Sequence, residues 1–364
     1  MRIEQITFTR FIAAIFIFIF HFGKQSFPFS NPFLFPFLKQ ATVGVSYFFM
    51  LSGFVMIIAY WKLNTNFIPV KQFLASRFAR IYPVYIIAIL LSVVFVFLKN
   101  GNISATAFLL EIFALQSWIP QYALEINYTA WSISVEMFFF LSFPFLYKYF
   151  YKRYSLSIVV ITAIVFWLLS QIIFNYAYFS GYYQPFPSSR HSFLYYHPIM
   201  HWNEFILGNA TGLIFIKFFA NKNYNRNFDW ILLCFPVLVA LMLRYKYANY
   251  HNGLLAVLFI PFIVLLSLNT GWITKIFCKP FFVLLGEISY SIYILQLPVY
   301  WACKSIFIYF HINTSKYSLF YVTAVILLIS AYISYRFLET PLRIYLNKKL
   351  IKKSPLLPEL KPPV

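Results

Sequence analysis

Residues 10–21 read RFIAAIFIFIFH, an unbroken apolar run closed at each end by a side chain that hydrocarbon does not accept cheaply. On an ideal helix, eleven steps of 100° make about three turns plus 20°. Arg10 and His21 then share one stripe, about 16 Å apart along the axis at 1.5 Å per residue. The run belongs to a longer apolar segment, about 6–22, which is enough to cross a hydrocarbon core of about 30 Å. A secretory signal also pairs an early basic residue with an apolar run. Here no small-residue cleavage site follows and Arg10 lies inside the run, so the segment reads as a retained span.

The rest of the chain has the same character. Its 364 residues are 62% hydrophobic and 10% charged, with mean hydropathy +0.74. Soluble domains run near 45–50% apolar and about 25% charged, so this composition excludes an ordinary soluble fold. Further apolar runs fall at about 41–61, 78–98, 129–150, 156–178, 201–219, 228–244, 251–268, 282–303 and 318–341. The formal charge is +20, from 29 Lys and Arg against 9 Asp and Glu. Those bases sit at span ends rather than in one patch. They fit the positive-inside rule and attraction to anionic lipid, not nucleic-acid binding. Cys234, Cys278 and Cys303 are isolated and form neither a disulfide framework nor a metal-binding spacing.

One short run, about 104–118, carries Glu111 and decides the topology of everything after it. If it does not cross, Lys148, Lys152 and Arg153, then Lys217, Lys222 and Arg226, then Lys275 and Lys279 all share the side of the N-terminus. So does the tail with Arg343, Lys348, Lys349, Lys352 and Lys353. That arrangement obeys the positive-inside rule. The sequence therefore predicts an all-α polytopic bundle of ten spans over 1–346, with a re-entrant or surface helix at 104–118. Both termini are expected in the cytoplasm, and a basic, proline-rich tail over 347–364. The longest external loop is expected at about 179–200.

Polar residues within spans are the functional candidates. Arg10 offers an anion anchor at one depth and His21 a titratable base at another. WSISVE, Trp131–Glu136, puts Glu136 at a depth inferred to be close to that of His21. A carboxylate on an imidazole fixes its tautomer and raises its basicity, so His21 and Glu136 are the candidate catalytic pair. In RFAR, Arg77 and Arg80 share a helix face at i and i+3 and form a fork for phosphate, with Lys71 nearby. LGEISYSIYILQLP, Leu285–Pro298, supplies Glu287 and Tyr290. FLETPLR, Phe337–Arg343, places Glu339 at the end of the last span, where it reads as an interfacial acid paired with a nearby base. Glu204, in HWNEFILG, is a further intramembrane acid. Trp131, Ser134, Tyr290 and Glu204 are the candidate substrate-binding residues.

There is no P-loop, no GxSxG elbow and no HExxH. Nucleotide hydrolysis, serine-triad chemistry and zinc hydrolysis are not indicated, and no metal is expected. A secondary transporter or glycan exporter would also use intramembrane Arg, His and Glu, as a proton relay. The absence of an internal repeat counts against it. A non-enzymatic scaffold explains the apolar mass but not the ordered polar residues.

Taken in order, these elements resemble the acyltransferase 3 family of bacterial membrane proteins. The resemblance runs from Arg10 to Pro341: the Arg-to-His spacing of the first span, FFMLSGF at 48–54, Arg77 and Arg80 as RxxR, WSxSxE ending in Glu136, GExSY ending in Tyr290, and ETP ending in Pro341. It implies transfer of an acyl group, usually acetyl, from cytoplasmic acyl-CoA to a hydroxyl of a cell-envelope sugar. The acceptor would be O-antigen, exopolysaccharide, capsule or a lipid-linked glycan, and the site the bacterial inner membrane. It implies His21 as catalytic base with Glu136 as partner, and Arg10, Arg77 and Arg80 as holders of the CoA phosphates. Gln296 stands where the family often has a histidine, and His201 where it often has an arginine.

Overall fold

The apolar run that opens the chain is a helix, α1 (Gln5–Phe18), prolonged past His21 by a π-helical turn, Ile19–Gly23. The computed structural model describes residues 3–61, 67–220, 226–244, 248–312 and 316–350. After α1 come α2 (Phe35–Leu38), α3 (Val43–Trp61), α4 (Val70–Leu98), α5 (Ala105–Ile112), α6 (Trp131–Leu146), α7 (Leu156–Phe179) and α8 (Ser189–Tyr196). The second half holds α9 (Pro198–Phe218), α10 (Asp229–Arg244), α11 (Ala256–Leu268), α12 (Trp272–Phe277), α13 (Pro280–Glu287), α14 (Ser289–Tyr309), α15 (Lys316–Ile333) and α16 (Thr340–Leu350). Among the described residues there is no strand, only an isolated bridge between Arg226 and Asn269.

The protein is a helical, multi-pass membrane protein. Among the described residues, seven helices are long and apolar enough to cross a bilayer: Gln5–Gly23, Val43–Trp61, Val70–Leu98, Trp131–Tyr151, Leu156–Phe179, Ser289–Tyr309 and Tyr317–Leu346. The expected count of ten is not reached, for two physical reasons. The helix α9 is 21 residues long, but His201, Asn203, Glu204 and Asn209 lower its hydropathy. The helices α10 and α11 have 16 and 13 residues, short of the roughly 20 that a span needs. At the questioned 104–118 run, α5 has 8 residues, about 12 Å at 1.5 Å each, and cannot cross. From residue 351 onward, the tail expected over 347–364 lies outside the described residues.

Packing makes α1 the hub. It lies against α13, α14, α3, α12 and α11. Gln5 Nε2 ties its start to the end of α11 by donating to Leu266 O at 3.3 Å and Ser267 O at 3.1 Å. The most extensive contact in the bundle, α3 on α9, depends on missing side chains. A Cβ on Gly53 would sit 2.3 Å from Phe205 O, and one on Gly208 would sit 2.1 Å from Met50 O. Small residues let two backbones approach this closely, which is how helices associate where lipid removes the hydrophobic drive. Asp229, the only aspartate, is structural. It accepts from the backbone N–H groups of Trp272 at 2.7 Å and Ile273 at 3.2 Å and fixes the start of α12.

Gly208→Val is predicted to force α3 and α9 apart at a cost of about 1–3 kcal/mol or more. Thermal unfolding in detergent should show a lowered midpoint. An unchanged midpoint would contradict the close approach.

Candidate active site

Four guanidiniums converge at one end of the bundle. Arg10 comes from α1, Arg77 and Arg80 from α4, and Arg343 from α16, which packs along α4. Arg80 lies within electrostatic reach of the other three and of Glu136. Arg10 faces Glu136, Glu287 and Glu339. The acids take hydroxyl donors: Ser52 Oγ donates to Glu136 Oε1 at 3.3 Å, Ser291 to Glu339, and Tyr335 to Glu287. Among the described residues, none of the four arginines makes a contact ion pair. Arg77 rests among the faces of Tyr60, Phe73 and Phe140, 5.6–6.0 Å from their centroids, and its Nε is buried without a hydrogen-bond partner. A buried donor left unmade is costly, and this one, beside three further guanidiniums, suits a place that receives an anion. Tyr290 belongs to this end: its hydroxyl donates to Ile81 O at 2.8 Å, with Glu136, Glu339 and Arg80 nearby.

The opposite end of α1 carries His21. Its ring stacks on Tyr128, with centroids 4.7 Å apart and planes at 14°, and is flanked by Phe20 and Phe22. The π turn that bears it follows i→i+5 hydrogen bonding, a form common at functional positions. That wider turn moves His21 off the stripe an ideal helix would share with Arg10. Of the two further π segments, Tyr147–Tyr151 and Ser334–Glu339, the second carries Glu339. His21 lines a cavity of about 460 Å³ together with Lys24, Gln25, Ser26, Lys39 and Tyr300.

The expected His21–Glu136 pair does not form. No hydrogen bond or ion pair joins them among the described residues, and Glu136 stands with the arginines. The depth inferred from charge counting failed because α6 starts at Trp131, while the loop before it brings Tyr128 to the level of His21. Glu136, eight residues later in the chain, reaches the level of Arg10. Tyr293 connects the two ends: its hydroxyl accepts from Ser132 Oγ at 2.9 Å, and it lies within electrostatic reach of both Glu136 and Tyr128. Glu339 is 8% exposed and lies within electrostatic reach of Arg80, Arg343 and Arg10 inside the bundle, so it has nearby bases, as expected, and it belongs to the arginine cluster.

The other predicted residues scatter. Lys71 is exposed, and six residues before Arg77 it falls on a different helix face. Glu204, fully buried, accepts from Ser46 and meets His201 Nδ1 at 3.0 Å. Ser46 also donates to His251 O at 2.5 Å. This group stitches α3, α9 and the 249–253 loop together, away from both His21 and the arginines. Trp131 packs on His201 and His251 in the same group, with centroids 5.1 and 5.7 Å away. Ser134 Oγ is buried without a partner. Gln296 Nε2 donates within its own helix to Tyr293 O at 2.7 Å. Sequence reasoning missed Arg343 and Tyr128. Arg343 looked like one more basic residue of a tail, and Tyr128 like one of 29 tyrosines.

A family model described as an acyltransferase domain matches residues 3–336. An acyltransferase of Streptomyces mycarofaciens, MdmB, is 31% identical over 159 residues, covering 41% of this chain and 40% of its own length. A Staphylococcus aureus protein whose O-acetyltransferase name is provisional is 25% identical, covering 96% of this chain and 59% of its own. The peptidoglycan O-acetyltransferase OatA of Listeria monocytogenes is 25% identical over 85% of this chain and 52% of its own. The chain thus spans about half the length of the curated relatives it matches. No solved structure matches. With the family match running from before Arg10 to Arg336, the chain belongs to the acyltransferase domain family.

Proposed function

We propose that this chain is a membrane O-acetyltransferase that holds acetyl-CoA at its arginine end and acylates a sugar hydroxyl at its His21 end. One observation carries the reading. A single helix, α1, presents an unpaired guanidinium cluster near one terminus and a histidine lining an open cavity near the other. The names of the Streptomyces, Staphylococcus and Listeria relatives support the reaction class.

In this reading Arg10, Arg77, Arg80 and Arg343 bind the CoA phosphates as charge-assisted hydrogen-bond donors. Glu136, with Glu287 and Glu339, limits the positive charge the bundle must bury and orients the guanidiniums, rather than serving His21 directly. Lys71 contributes only to the surface potential. His21 takes the proton of the sugar hydroxyl as its oxygen attacks the thioester carbonyl. The C–S bond breaks, and the leaving thiolate takes that proton back from the imidazolium. The acceptor is a cell-envelope sugar approaching from outside. Its selection falls to the 179–200 loop and the 104–128 stretch, which meet at a cleft of about 350 Å³ lined by Gln121, Glu125, Phe186 and Ser189.

We read α9, α10 and α11 as three further crossings, giving ten; α10 and α11 are too short to cross as helix alone, and buried non-helical chain such as 250–253 completes the passage inside the bundle, where neighbouring helices cover it. An even number keeps both termini on one side, the cytoplasmic side by the positive-inside rule, in a bacterial inner membrane.

His21→Ala is predicted to lower kcat by about 10²–10⁴ while leaving acetyl-CoA binding intact. Retained acetylation of the envelope glycan at normal protein levels would sink the assignment. Acetyl-CoA-dependent labelling of a sugar by the purified chain separates this reading from a transporter, which would give none. Arg77→Ala and Arg80→Ala should each raise KM for acetyl-CoA about tenfold or more, with less effect on acceptor KM. Unchanged acetyl-CoA binding in both variants would count against the anchor. A reporter fused after Glu125 should read as external, and a cytoplasmic signal would overturn the ten-span arrangement.

A further inference from the structure

Two lysines lie where the charge rules of membrane proteins do not put them. Lys24 and Lys39 lie beyond His21, at the end of α1 away from Arg10, Arg77 and Arg80. The positive-inside preference gives no reason for a lysine pair on this face, which also carries Lys99, Lys304 and Arg190, but Lys24 and Lys39 are the ones that share a cavity with His21. Both face the cavity that His21 lines, and its lining contains no Asp or Glu. At about 460 Å³ the space falls within the roughly 300–1,000 Å³ usual for small-ligand sites.

Neither ammonium has an acidic partner among the described residues. Each is held over an aromatic face instead, Lys24 Nζ 4.0 Å from the Phe20 centroid and Lys39 Nζ 4.5 Å from that of Phe35. Burial, and then the charge of Lys39, pushes the Lys24 ammonium down from its ordinary value. Two like charges are thus kept together beside the base with no built-in counterion. Gln25, Ser26 and Tyr300 add neutral donors and acceptors to the same wall, as a hydroxylated ring would require.

We propose that the acceptor is an anionic glycan, whose phosphate or carboxylate sits between Lys24 and Lys39 while a nearby hydroxyl of the same molecule reaches His21. This rests on the reading of His21 as the base at the acceptor end. The anion is assigned to the acceptor itself because the lysines and the imidazole open on one space rather than two.

The first test uses the source organism carrying either the intact chain or His21→Ala, grown with radiolabelled acetate. Base-labile acetyl esters in isolated envelope glycans are separated by anion exchange. The His21-dependent ester should elute with anionic glycans. Hydrogen fluoride, which cleaves phosphodiesters, and carbodiimide reduction, which removes carboxylates, then identify the anion. Elution with neutral glycans overturns the inference and leaves the transferase reading standing. No His21-dependent ester in any fraction overturns the transferase reading, and this inference with it.

The second test assays Lys24→Gln/Lys39→Gln in membranes with acetyl-CoA and the glycan so isolated. Acceptor KM should rise about tenfold or more, with kcat and acetyl-CoA KM within about twofold, and Lys24→Arg/Lys39→Arg should restore it. Acceptor KM for the unsubstituted chain should also rise as salt is raised, since added ions screen the contact. A salt-independent acceptor KM, or an unchanged one in the Gln variant, overturns the proposal.

Discussion

The structure depends on keeping several guanidiniums inside a membrane-spanning bundle. A charge in that environment costs a few kcal/mol or more unless other groups share it. The chain meets this cost with three carboxylates that take hydroxyl donors, while among the described residues none of the four arginines closes a contact ion pair. The difference matters for chemistry. A closed ion pair uses up its donors, whereas Arg10, Arg77, Arg80 and Arg343 keep theirs available. The helices that carry them, α1, α4 and α16, must therefore stay in register, and α13 and α14 must bring Glu287 and Tyr290 against them.

The same constraint separates the two ends of the molecule. On the proposed function, a phosphate-binding end and a hydroxyl-activating end are two places, because one ligand would be cytoplasmic and the other external. The helix α1 solves this by length, with Arg10 and His21 about 16 Å apart at 1.5 Å per residue. Between the two ends stand the uncharged side chains of Tyr293, Ser132 and Tyr128. A chain-like ligand with a charged head and a reactive tail matches that distribution of polarity. The hub position of α1, packed on helices from both halves of the sequence, holds the two ends at a fixed separation.

Much of this was legible in the sequence, because charge is so rare in it. With only 9 acids, each buried carboxylate stood out; Arg77 and Arg80 lie together as their spacing implied, and Arg10 joins them as the family resemblance implied. What failed was depth. Charge counting sets which side a loop occupies but not where a helix starts within the membrane. Glu136 was therefore placed beside His21 and is found beside Arg10. The π turn at Ile19–Gly23 was equally hidden, since no local signal in an apolar run announces an extra residue per turn. Glu339 has the nearby bases expected of it, but ETP looks like a helix end, whereas the chain continues as α16 and returns Arg343 to the cluster. The short helices α10 and α11 show the limit of reading spans from apolar runs: composition marks an apolar stretch without fixing how much of it is helix.

The central claim is that one bound molecule reaches from the arginines to His21. A structure of the full chain with a non-transferable acetyl-CoA analogue, its thioester sulfur replaced by methylene, tests it most directly. The analogue's phosphates are expected among Arg10, Arg77, Arg80 and Arg343, with its acetyl carbonyl at the His21–Tyr128 pair. Phosphates seated elsewhere, or an acetyl group remote from His21, would contradict it.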